Sequence, residues 1–85
     1  MAAFRGDMLK SVMARLVEHG RNGALTPADA AYLAPRISAT LLEKHHARNR
    51  GSLQSVFTDQ VARKAREYVS EFFKRRGGVF RRPER

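Results

Sequence analysis

Apolar residues recur along this chain in three stretches at helical spacing, with glycines between them. In the first, Met8, Leu9, Val12, Met13, Leu16 and Val17 share one side, and Lys10, Ser11, Arg15 and Glu18 point away. The pattern predicts a helix from about Asp7 to His19. Asp7 would cap its start, and Gly20 would take the left-handed position after its end.

The second stretch opens on Thr26-Pro27-Ala28-Asp29, which places a hydroxyl at the N-cap, proline at the first helical position and an acid at the third. Ala30, Leu33, Ala34, Ile37 and Leu41 then form a stripe, and Arg48-Asn49-Arg50-Gly51 ends the element. Pro35 leaves two structures in competition. One is a helix-turn-helix broken near Ala34 and restarted at Ser38. The other is a single helix kinked at the proline. The apolar stripe keeps its phase across Pro35, with Ala30, Ala34, Ile37 and Leu41 within about 60° of one another. Pro35 itself falls on the opposite side, where a kink is easiest to accommodate. The pattern therefore favours the kinked helix over the split one.

The third stretch runs from about Ser52 to Arg76, with Ser52, Ser55 and Thr58 as alternative N-caps. Phe57, Val61, Ala62, Ala65, Tyr68, Val69, Phe72 and Phe73 span an arc of about 160°, and Arg63, Arg66, Ser70 and Lys74 lie opposite. Gly77-Gly78 stops the helix. Residues 79–85, Val-Phe-Arg-Arg-Pro-Glu-Arg, show no periodicity. The predicted fold is all-α: a small three-helix bundle over residues 1–78 and a flexible basic C-terminal arm over 79–85.

Composition narrows the class further. A chain of 85 residues makes one small domain with a thin core. A hydrophobic content of 42 % is enough to fold it, which a disordered tail would lack. Cysteine is absent, which excludes a disulfide framework, a thiolate zinc site and a cysteine nucleophile. No apolar run approaches the ~20 residues of a membrane span, and the first residues do not resemble a secretory signal. A soluble, cytoplasmic protein with no membrane contact is the expectation.

Catalytic chemistry finds little support. There is no glycine-rich phosphate loop and no G-x-S-x-G. His19 belongs to a helix C-terminus, where the dipole favours a cation. Glu43-x-x-His46 has the spacing of one half-site of a di-iron bundle, but such a centre needs a second copy and two further glutamates. No enzyme activity, cofactor, metal or small-molecule substrate is expected.

Charge changes the picture most. The chain holds 17 Lys+Arg against 8 Asp+Glu, a net +9, above the ~2–8 that solubility alone calls for. Residues 63–85 hold nine basic and three acidic side chains, +6 of that total. Arginine dominates, and its planar fork suits phosphate. Arg63, Arg66 and Lys74 form a stripe, which Lys74-Arg75-Arg76 joins to Arg81 and Arg82 on the arm. A helix followed by a basic arm is a common way to meet a nucleic-acid duplex.

In the second stretch Arg36, Lys44 and Arg48 add positive charge. If the helix-turn-helix forms, Ser38, Thr40 and Lys44 would approach base edges. Glu67 and Glu71 oppose this reading, because each can neutralise neighbouring cations at helical spacing. The expected function is binding of nucleic acid, duplex DNA foremost, in a bacterial or phage-type regulatory or accessory role. The alternative is a helical adaptor or inhibitor that binds an acidic protein surface or an apolar groove. The wide apolar arc of the third helix also suggests a homodimer.

Overall fold

A computed structural model describes residues 2–48 and 56–82. They form three helices: α1 (Ala2–Arg21), α2 (Pro27–Arg48) and α3 (Asp59–Arg75). The architecture is the expected all-α bundle. α1 packs against both other helices, while α2 and α3 scarcely touch each other.

α1 begins earlier than its local signals suggest. Gly6 and Asp7 lie inside the helix, so Asp7 is an exposed interior residue and not its cap. The cause is tertiary. Phe4 is 6 % exposed and leads a row through Met8, Val12 and Leu16, one residue per turn, that forms the middle of the core. Its ring lies 4.7 Å from that of His45 and 5.4 Å, edge-on, from that of Phe57. Burying Phe4 offsets the entropic cost of a glycine in the second turn.

The end of α1 is also displaced. Gly20 is helical, and Gly23 adopts the left-handed conformation with φ 84°. The Ala24 N–H donates to the His19 carbonyl and the Gly23 N–H to the Gly20 carbonyl, both at 3.0 Å. That pair of bonds is a Schellman motif, with Gly23 in the role expected of Gly20. It turns the chain so that Ala24 and Leu25 enter the core.

α2 starts where the sequence predicts. Thr26 Oγ1 accepts from the Asp29 N–H at 3.1 Å, and Pro27 occupies the first turn, where a missing N–H costs nothing. The helix runs through Pro35 without a break, and Pro35 is exposed. A helix-turn-helix is therefore not formed. Ala30, Leu33, Ala34 and Ile37 are buried against the rest of the core.

For α3, Thr58 is the N-cap chosen from the three alternatives. Its Oγ1 accepts from the Val61 N–H at 3.2 Å, and the other two, Ser52 and Ser55, lie outside the described residues. Ala65, Val69 and Phe73 are buried, one per turn, as the apolar arc predicts. A second Schellman motif ends the helix. The Gly78 N–H donates to the Phe73 carbonyl at 2.8 Å, and Gly77 is left-handed at φ 72°.

Residues 79–82 adopt neither helix nor strand, yet they do not hang free as the flexible-arm reading expects. The Phe80 N–H donates to the Ala24 carbonyl at 2.9 Å, and the Phe80 ring packs against Tyr32 and Phe72. Arg82 Nε donates to Asp29 Oδ1 at 3.0 Å. The periodicity of a sequence cannot reveal such contacts, because a single aromatic residue makes the anchor. Residues 83–85 of the arm lie outside the described residues.

Candidate functional site

The cations singled out from the sequence fall into two groups in space, with Arg82 committed elsewhere. On α3 and beyond it, Arg63, Lys74, Arg75 and Arg81 are exposed, and Arg66 is half-buried. Neither Glu67 nor Glu71 forms an ion pair with any described residue. The neutralisation that their helical spacing would permit is thus not made. Arg63, Lys74, Arg75 and Arg81 face solvent without a carboxylate partner among the described residues.

A second group lines a groove between α2 and α3. Arg36, Thr40 and Lys44 follow one another at one-turn spacing along α2, and Lys64, Tyr68 and Phe72 do the same along α3, with Arg76 continuing the row at its C-cap. The Arg36 Cζ sits 3.8 Å from the centre of the Tyr32 ring, and its Nη1 donates to the Tyr32 carbonyl at 3.0 Å. Arg76 repeats the arrangement on Phe72, with Cζ 3.8 Å from the ring centre and Nη1 3.3 Å from the Phe72 carbonyl. Lys44 Nζ lies 5.8 Å from the Tyr68 ring centre, within the range of a cation–π contact. Thr40 is half-buried and spends its hydroxyl on the Arg36 carbonyl at 3.1 Å.

The remaining residues are removed from the set or altered in role. Ser38 is 5 % exposed and belongs to the core side of α2, so it cannot approach a base edge. Its assignment depended on the helix-turn-helix, and the continuous helix turns it inward. Base-edge contact by Thr40 and Lys44 loses the same foundation. Arg82 is committed to Asp29, which is 7 % exposed. Arg48 closes α2, and its side chain lies outside the described part of the structure.

Two features escaped the sequence reading. Lys64 and the docked Phe80 contribute to the groove, and the aromatic stripe of α3 is not wholly core. Phe73 is buried, but Tyr68 and Phe72 are half-exposed in the groove beside cations. The one-turn rows 36/40/44 and 64/68/72/76 carried the signal. They acquire meaning only once the two helices are known to face each other.

His19 departs from the cation expected at a helix end. Its ring stacks on Phe73 at 4.5 Å, and Nε2 is buried without a hydrogen-bond partner. Burial, and after it the positive charge of Arg15, hold its pKa below the ordinary 6.5, against a smaller opposing effect of Glu18. The neutral ring serves as packing. Among the described residues no three His, Asp or Glu side chains cluster in a way that could hold a metal ion, and no helix is long and apolar enough to cross a membrane.

Set against known protein families, curated proteins and solved structures, the chain has no significant match.

Proposed function

We propose that the protein binds nucleic acid through its phosphate backbone, with duplex DNA as the ligand and a regulatory or accessory role. One observation carries the reading: Arg63, Lys74, Arg75 and Arg81 are exposed and have no carboxylate partner among the described residues. Lys74 and Arg75 would be favoured in the last turn of α3 by the helix dipole alone. That does not account for Arg63 in its second turn or for Arg81 beyond its end. Cations without carboxylate partners, spread along α3 and just beyond its end, create the positive potential that a phosphate backbone neutralises, with release of condensed counterions.

With the helix-turn-helix gone, no element among the described residues is left poised to read base edges. The contacts proposed here position the protein on a duplex and discriminate little between sequences. The test is a binding titration against duplex DNA at several salt concentrations. The wild-type chain is compared with the triple variant Arg63→Ser, Lys74→Ser, Arg75→Ser. Each lost phosphate contact should flatten the slope of log K on log salt by about 0.9. An unchanged slope would remove these residues from the interface. Tighter binding to structured RNA than to duplex DNA would replace the ligand.

A further inference from the structure

The geometry points to the groove between α2 and α3 as the docking site for one amphipathic helix of a protein partner, its apolar stripe flanked by Asp or Glu. This rests on different residues from the phosphate reading and stands apart from it. Because α1 holds both helices while they scarcely meet, the groove occupies the place that a fourth helix takes in a four-helix bundle. Two clefts of about 410 and 230 Å3 run along it and share Tyr68. The α2 row from Tyr32 to Lys44 spans about 18 Å, the length of a helix of about 12 residues.

Charge decides what kind of helix fits. Arg36 and Arg76 stand at one end of the groove and Lys44 and Lys64 at the other, and no carboxylate is among the described residues that line it. Tyr68 supplies an apolar floor between the two cation pairs, with Leu41 and Val61 beside it toward the lysines. An acidic amphipathic helix matches both features at once. The guanidinium groups are also prepared for it. Ring stacking and one bond to a backbone carbonyl hold Arg36 and Arg76 in place, and their remaining N–H groups are free to meet a carboxylate.

The same details disfavour two other occupants. A single nucleic-acid strand would need open aromatic faces for its bases, and Tyr32 and Phe72 each already carry a guanidinium. A second copy of this chain would bring like charge to the rim, because each of its helices has more basic than acidic side chains.

The experiment selects binders to the full chain from a display library of randomised helical peptides of about 16 residues, then titrates the enriched peptide. Enriched sequences should carry an apolar stripe flanked by Asp or Glu, and their amide-shift perturbations should fall on Tyr68, Phe72 and their neighbours. Reversal of two exposed rim charges, Lys44→Glu with Lys64→Glu, should weaken binding about hundredfold, at tenfold for each contact. A peptide with its acids changed to Lys should bind this variant and not the wild type. Circular dichroism on the variant shows that it is folded, and duplex DNA titration shows whether the phosphate reading stands or falls by itself. The proposal is overturned by any of four results: no enrichment, enrichment of peptides without acids, affinity unchanged by the double reversal, or perturbations confined to the exposed Leu9 and Val17 of α1. Displacement of the peptide by an oligo-dT strand, or self-association in sedimentation that the same double reversal abolishes, would give the groove to one of the other occupants and overturn it as well.

Discussion

Arg82 Nε donates to Asp29 Oδ1 at 3.0 Å and ties the C-terminal segment to the first turn of α2, 53 residues away in sequence. Asp29 thereby serves twice. Its backbone N–H is capped by Thr26, and its nearly buried carboxylate meets both the positive end of the α2 dipole and a guanidinium. Beside it, Phe80 closes over Tyr32 and Phe72. Deleting residues 79–85 should therefore lower the melting temperature, although no helix is touched. A double-mutant cycle on Arg82→Ala and Asp29→Ala should give a coupling of about 1 kcal/mol that shrinks as salt is added. An unaltered melting temperature in the truncated chain would mean that the segment contributes nothing to the fold.

Two glycines, one inside α1 and one just beyond its end, should respond with opposite signs. Gly6 is helical, and a methyl group added there meets nothing within 4 Å. Gly6→Ala should stabilise the protein by about 0.5–1 kcal/mol, since alanine restricts the unfolded chain and favours the helix. At Gly23 there is equal space, but φ is 84°. Gly23→Ala should cost about 1 kcal/mol or more through the left-handed strain alone. Denaturant midpoints measure both changes. A loss of stability in Gly6→Ala would place the start of α1 after residue 6.

Pro35 sits in the interior of α2 and cannot donate to the carbonyl one turn back, that of Ala31. Its exposed position leaves room for any replacement. Pro35→Ala should stabilise by about 1–2 kcal/mol, as the restored bond outweighs the freedom returned to the unfolded chain. Thermal unfolding monitored at 222 nm would report it. A marked loss of stability would show that the chain needs a break at this point.

His19 makes the fold sensitive to acid. Burial lowers its folded pKa, so between the ordinary 6.5 and that lowered value the unfolded chain binds a proton that the folded chain does not. The stabilisation is present above pH 6.5 and is lost as the pH falls through the window below it. His19→Phe keeps an aromatic ring on Phe73 and removes the titration. Stability plotted against pH should be flatter below 6.5 in this variant than in the wild type, with His45 and His46 common to both. Parallel curves would remove His19 as the cause.

Local chemistry was enough to set the α2 start, the all-α class and the one-per-turn rows that form the core, while the α3 cap was settled among its three alternatives only in the folded chain. Each of the former depends on residues within about one turn of one another: Thr26 with Asp29, or the four-residue rows of the core. The phase of the apolar stripe also spoke for one helix through Pro35, because a turn would have shifted it. What the tertiary structure alone decided depends on residues far apart in the chain. Phe4 draws α1 past Gly6 by packing on His45 and Phe57. Arg82 is withdrawn from the exposed cations by Asp29, and Ser38 is carried inward by an unbroken helix. The groove, with Arg36 and Lys44 facing Arg76 and Lys64, exists because α1 separates two helices that each show an ordinary amphipathic pattern. Periodicity states which side of a helix is apolar. It does not state which neighbour, if any, covers all of that side.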